Sequence, residues 1–178
     1  MYKILKMDKH TVIVIVASVI IASIVGYWVW NIYAANQIQF RAANQDNFRF
    51  FGFINEEKIS ICNPLPFYTS FNNFKIKMNF EGRDVGELNF PEVSLAPNSE
   101  ITTQGKFTTE VFEEVQYLSM HFDAMFMDTI PQRIDLRKML VDTEIQIQII
   151  GFIPISVSNQ YSALEFWEMM NSNDEYSC

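Results

Sequence analysis

The feature that most constrains this chain is an uninterrupted stretch without charge, from Thr11 to Phe40. Within it, the apolar run that opens at Thr11 and closes at Ala35 (residues 11–35) is rich in Val and Ile, with Tyr27, Trp28, Trp30 and Tyr33 gathered at one end. About 20 apolar residues rising about 1.5 Å each cross a hydrocarbon core of about 30 Å, so this run is long enough to span with some tilt. A helix buried in a globular core rarely stays apolar on every face for so long. The expectation is a membrane span whose partner is the lipid bilayer.

A cleavable signal peptide shares the basic start and the apolar run, but its apolar region is usually about 7–15 residues. Tyr33-Ala34-Ala35 also lacks the small first residue of an A-x-A cleavage site. A signal-anchor is therefore expected. Lys3, Lys6 and Lys9 against Asp8 give the first ten residues a balance of +2, so the formal charge of −8 leaves −10 for the rest. The lysines favour a cytoplasmic N-terminus, residues 1–10, with the aromatic end of the helix and the domain beyond it on the other side. Ser18, Ala22 and Gly26 fall four apart, the small-xxx-small spacing that lets two such helices approach. That face pairs with another helix or simply meets lipid.

The remainder is one domain's worth of chain, near the commonest domain size. Its acidity repels phosphate backbones and no basic stripe offsets it, so nucleic acid is not an expected partner. Residues 36–47 read as a stalk or a first edge strand. Apolar and polar residues alternate from Lys58 to Cys62 until Asn63-Pro64 and Pro66 stop the ladder, since proline has no N–H to donate. Asn63 and Pro64 thus read as a structural turn. Phe74, Ile76, Met78 and Phe80 alternate with polar residues, Gly82-Arg83-Asp84 reads as a hairpin turn, and a partner strand runs through Val85, Leu88 and Phe90. A short strand holds Val93 and Leu95, and another is expected from Glu100 to Thr109.

The period then lengthens. Val111, Val115, Leu118, Phe122 and Met125 mark an amphipathic helix ending before Pro131, with Glu110, Glu113 and Glu114 where the helix dipole favours anions. Ile145, Ile147 and Ile149 alternate as a strand, Gly151 and Pro154 punctuate it, and Ile155 and Val157 continue into a hairpin partner. Leu164 to Met170 predicts a last helical turn or two, and residues 171–178 form an acidic polar tail. The whole pattern predicts a mostly β protein, an antiparallel sandwich with one amphipathic helix behind a single transmembrane helix.

In their order and spacing, Asn63-Pro64 after the strand Ile59 to Cys62, Phe74-x-Ile76-x-Met78-x-Phe80 with Gly82 and Val85-Gly86, and Leu95-x-Pro97-x-Ser99 resemble the late-embryogenesis-abundant LEA14 or LEA2 group, the water-stress and hypersensitive-response domain. The resemblance covers residues 48–161. It implies a seven-stranded immunoglobulin- or fibronectin-like sandwich over residues 48–170 and a non-enzymatic role at membranes or in stress. It brings no catalytic residues. The Phe-rich segment Phe48, Phe50, Phe51 and Phe53 departs from the family's pattern.

No phosphate-binding glycine loop, nucleophile elbow or Cys-x-x-Cys is present, so no enzyme chemistry, metal or cofactor is expected. His10 and His121 are predicted on opposite sides of the membrane. His121 with Cys62 as base and nucleophile would need hydrogen-bond reach, which nothing in the sequence provides. Cys62 and Cys178 are permitted a disulfide, yet Cys178 ends a polar tail, and the favoured expectation is a buried Cys62 with a free Cys178. Asp123, Asp128 and the three glutamates lack the spacing of a calcium loop and read as a solvated face. The surplus of 16 Phe and 9 Met leaves two readings for Phe122, Met125, Phe126, Met127, Phe166 and Trp167. They fill the core, or they present a surface to lipid, an envelope protein or an apolar ligand.

Overall fold

The computed structural model describes residues 8–43, 48–55, 58–127, 129, 135–149, 153–172 and 178. Its first element, α1 (Lys9–Gln37), is a continuous 29-residue helix. At about 1.5 Å per residue it is about 43 Å long, more than a bilayer's hydrocarbon core requires. It is exposed along nearly its whole length, and only Ala34 and Ala35 near its end are buried. Three of its polar side chains turn back on the helix itself: Ser23 Oγ donates to Val19 O (2.8 Å), Asn31 Nδ2 to Tyr27 O (2.7 Å) and Asn36 Nδ2 to Ile32 O (2.9 Å). Such internal bonds make these groups tolerable in or near lipid. Ser18, Ala22 and Gly26 lie on exposed helix surface.

The helix runs without a break into β1 (Gln39–Ala42), an edge strand antiparallel to β2 (Lys58–Asn63). Strand β2 pairs on its other edge with β7 (Ser99–Gln104), completing a three-stranded sheet. A five-stranded antiparallel sheet runs β10-β9-β4-β5-β8, built from β4 (Asn73–Phe80), β5 (Arg83–Phe90), β8 (Lys106–Thr108), β9 (Met139–Ile149) and β10 (Ile153–Ser162). The short pair β3 (Thr69–Phe71) and β6 (Val93–Leu95) forms a third. The chain is mostly β, with antiparallel sheets and one apolar N-terminal helix. The described strands outnumber the seven that the family resemblance implies.

Residues of all three sheets meet in one core. Phe74, Ile76 and Met78 of β4 point inward on alternate positions, as do Met139, Val141, Ile145 and Ile147 of β9, and both join Ile59 and Ile61 of β2 and Phe71 and Leu95 of the short pair. Strand β2 is buried on both faces after Lys58, which its central place explains.

Three features differ from the sequence expectation. The β4–β5 turn is Glu81-Gly82, both left-handed (φ 52° and 78°), as a two-residue hairpin loop requires, and Arg83 already pairs with Phe80. The expected strand from Glu100 to Thr109 is two strands in different sheets, β7 beside β2 and β8 beside β5. Gly105 stands at the crossing, where an added Cβ would lie 2.7 Å from Leu88 Cγ and 2.9 Å from Phe90 Cε1, so only glycine lets the backbone pass that close. The amphipathic helix α3 (Phe112–Phe126) is joined by a short buried helix α2 (Phe50–Ile54) that the sequence pattern does not predict, while α4 (Ala163–Asn171) contains the last helical turns expected from Leu164 to Met170. The departing Phe-rich segment is therefore helical at its centre. Pro131, Asp128, Gly151 and residues 173–177 of the acidic tail lie outside the described residues.

Candidate functional site

Strand register shows which end of the domain adjoins α1. Gln39, two residues past the helix, pairs with Cys62, and the next residue, Asn63, pairs with Ser99. Helix α1 packs there on β3, β9 and β10. Asn63 is fully buried at this end, and its side chain is saturated by backbone: Nδ2 donates to Phe67 O (2.7 Å) and Ala96 O (3.0 Å), and Oδ1 accepts from Leu65 N (3.2 Å). One amide thus ties the end of β2 to the loop that follows it and to the β6–β7 turn. Asn63→Ala is expected to cost about 1–3 kcal/mol, because it leaves buried backbone groups unpaired. Urea melts of the full chain in detergent would read this as a lower midpoint at unchanged slope.

Cys62 is joined to Cys178 by a disulfide, with Cα atoms 5.9 Å apart. This corrects the expectation of a free terminal cysteine: the end of the chain returns to the helix-proximal end of β2. It also removes Cys62 as a nucleophile, since a disulfide sulfur is no thiolate. His121 is half-buried on α3 with its ring stacked on Tyr117, centroids 5.9 Å apart. Among the described residues, no group of three or more His, Cys, Asp or Glu could hold a metal ion.

The aromatic surplus forms a continuous cluster in the core. Phe166 is fully buried, with ring centroids of Phe40, Phe48, Phe50, Phe53 and Tyr161 all within 6.3 Å. Phe122 is also fully buried and Met125 nearly so, which excludes these three residues from the expected interaction surface. Their apolar area is withdrawn by α2, whose presence the sequence pattern did not reveal. Phe126, Met127 and Trp167 are half-buried, with Phe126 stacked on Trp167 at 5.3 Å. The Trp167 Nε1 donates to Phe48 O (3.1 Å), and Asn171 Oδ1 accepts from Phe48 N (2.6 Å), so α4 holds the start of the Phe-rich segment from both sides.

Asp123 departs furthest from its expected solvated role. It is 8% exposed, and its two carboxylate oxygens accept from Phe50 N (2.7 Å) and Phe51 N (2.9 Å). A short helix begun at Arg49 without a side-chain cap of its own is thereby capped from α3. Helix α4 instead caps itself: Ser162 and Glu165 form a capping box, and the Ser162 N–H lowers the Glu165 carboxyl below its ordinary range.

On the outer face of the five-stranded sheet, Glu144 bridges its neighbours. Ser156 Oγ donates to it at 2.7 Å and Lys77 Nζ lies 3.3 Å away. The Ser156 hydroxyl above all holds this carboxyl below its ordinary value; burial pushes the other way, and Lys77 and Lys75 add to the lowering. A depressed folded value stabilises the fold above the ordinary value and loses that contribution as pH falls through the folded one. The pair is partly exposed, so the contribution is at most about 1 kcal/mol. Glu144→Gln is therefore expected to lower stability at neutral pH by at most about 1 kcal/mol and to leave it nearly unchanged at acid pH, which flattens part of the acid limb, as urea melts across that limb would read.

A cleft of about 580 Å³ opens between β1 and α4, lined by Ile38, Phe40 and Met169 with Tyr161, Glu165 and Glu168 at its margins. Burial pushes the Tyr161 phenol up from its ordinary value. Apolar walls with a few polar groups are the usual make-up of a small-molecule site.

No protein-family model matches this chain, and no curated protein matches it. Among solved structures, a crystal structure of a protein from Archaeoglobus fulgidus aligns with a TM-score of 0.32 and 9% identity over 71% of this chain and 94% of that one. A Bacteroides uniformis beta-glucuronidase aligns at 0.29 and 8%, over 71% of this chain and 13% of the enzyme. A solution structure from Arabidopsis thaliana aligns at 0.24 and 18%, over 70% and 76%. At such scores these likenesses carry no functional argument.

Proposed function

We propose that this chain is a membrane-tethered, non-enzymatic module: a LEA2-like, immunoglobulin- or fibronectin-like sandwich held on the non-cytoplasmic side of a cell membrane, where it engages envelope components or protects them under stress. One observation carries the reading. The apolar part of α1 is exposed except at Ala34 and Ala35 and, in part, Trp28, while the domain's core is filled by its own aromatic and aliphatic side chains, with Ala35 the helix's one member of it among the described residues. A helix so apolar finds its burial in lipid. Ala35 and Ile38 belong to the domain core, which supports an anchor retained in the mature protein over a signal cleaved near Ala35. The Cys62–Cys178 bond supports an oxidising compartment and agrees with the orientation read from the three lysines.

The test is protease added to intact cells or right-side-out vesicles carrying the full chain, followed by alkaline carbonate extraction. Digestion of the domain and retention of the helix in the membrane are expected. Protection of everything after Phe40 overturns the orientation, and release by carbonate overturns the anchor.

The cleft beside Ile38 and Phe40 favours a second reading, a carrier or binder of a lipid or other apolar ligand. The space between the sheets is occupied by Phe71, Phe74 and Phe90, so such a ligand has its best lodging in this outer cleft and not between the sheets. Native mass spectrometry of the intact protein separates the two: a lipid retained at fixed stoichiometry supports the carrier, and clean protein supports the tethered module.

A further inference from the structure

Resting on the anchor reading above, we infer that the loop 64–68, carrying Pro66, Phe67 and Tyr68, is a second membrane contact that sits in the headgroup boundary beside the helix exit and sets how the domain stands on the bilayer.

The depth follows from the helix. Counting about 20 residues from Thr11 to cross the hydrocarbon brings the boundary close to Trp30. Trp30 packs against Phe67 in a tilted arrangement, ring centroids 4.2 Å apart, so the loop reaches the same level as the aromatic end of the span. The register agrees, since the loop leaves β2 at Asn63, one residue past the partner of Gln39.

The surface chemistry is that of an interfacial element. From Asn63 to Phe74 there is no charged residue. Tyr68 is 79% exposed, more than any large apolar side chain of the bare helix, and Pro66 beside it is exposed as well. Tyrosine and tryptophan are enriched at the membrane–water boundary, where the ring meets acyl chains and the polar atom meets water. Tyr27, Trp30 and Tyr33 form the helix side of the same belt, each about half exposed.

The loop is also held rigidly in that place. Asn63 Nδ2 grips Phe67 O, and Asn98 N donates to Leu65 O at 3.0 Å. A preorganised loop contributes its apolar contact without the entropy cost of ordering. Docked at two places, the helix and the loop, the domain has a fixed face toward the bilayer.

The test uses the full chain in phosphatidylcholine vesicles containing lipids spin-labelled near the top and near the end of their acyl chains, so that both the boundary and the midplane are sampled. The two native cysteines are bonded to each other, so a single added cysteine takes an environment-sensitive fluorophore selectively. Three variants are compared: Val19→Cys in the helix, Tyr68→Cys in the loop, and Gln104→Cys at the opposite end of β7. Quenching at positions 19 and 68, several-fold stronger than at 104, is the expected result. Quenching at 19 with none at 68 overturns the loop contact while leaving the anchor intact. No quenching at 19 overturns the anchor and the loop contact together. A fluorophore at 68 that is shifted to the blue yet unquenched shows protein and not lipid covering the loop, which also overturns the inference.

Discussion

Replacing Phe166 with alanine is expected to destabilise the domain by about 3–5 kcal/mol, the range for emptying a large aromatic site in a packed core. The ring is wholly buried and touches the aromatic groups of β1, α2 and β10 at once, so no single neighbour can swing in to close the hole. Against a total of about 5–15 kcal/mol, that loss removes much of the margin. Thermal melts of the full chain in detergent check it. Phe166→Leu, which keeps most of the volume, is expected to recover more than half of the lost stability. Equal losses from the two substitutions would contradict the packing account, and a negligible loss from alanine would show that Phe166 lies at a yielding surface.

Opening the Cys62–Cys178 bond is expected to be the second large effect. The bond closes 116 residues of sequence, and loop-closure entropy for a ring of that size is worth about 4–5 kcal/mol, with about 2–4 the common experimental outcome. At this chain length each kcal/mol moves the melting temperature by about 2–4 °C, so Cys178→Ser should lower it by about 5–15 °C. Dithiothreitol on the unmodified chain should give the same shift, and should give none on the Cys178→Ser chain. A melting temperature indifferent to both treatments would mean that the terminal cysteine does not close this loop in solution. The bond fastens the chain's end to β2, next to Asn63, so its loss should also weaken the grip on the loop 64–68.

Local periodicity carried much of the architecture. The helix α1 was legible because hydrophobicity over 25 residues without charge admits very few solutions, each of them helical. Strands β4 and β9 were legible because Phe74, Ile76 and Met78, or Ile145 and Ile147, alternate with polar neighbours. That alternation puts one set of side chains on one face of a strand regardless of what the strand meets. Helix α3 was legible for the same reason at a period of three to four. Asn63-Pro64 could be read as a turn because proline withdraws a donor from the ladder wherever it stands.

What the sequence by itself determined, then, is the type of each strongly periodic element, the apolar helix at the start, and the mostly β class. Only the tertiary structure decided which elements meet. Asp123 has no local signal of burial: it lies one residue from Phe122 on α3, and its partners are the N–H groups of a helix 72 and 73 residues earlier. The union of Cys62 with Cys178, the burial of Phe122 and Phe166 beneath α2, and the packing of Phe67 against Trp30 are likewise pairings across long stretches of chain. Gly105 did offer a sign, since an isolated glycine inside a strand pattern marks a close backbone approach. Yet that Leu88 and Phe90 are what approach it follows only from the neighbouring sheet. Periodicity fixes how a side chain is aimed relative to its own backbone. Contacts between distant segments depend on how the whole core closes, a many-body packing outcome that no single segment encodes.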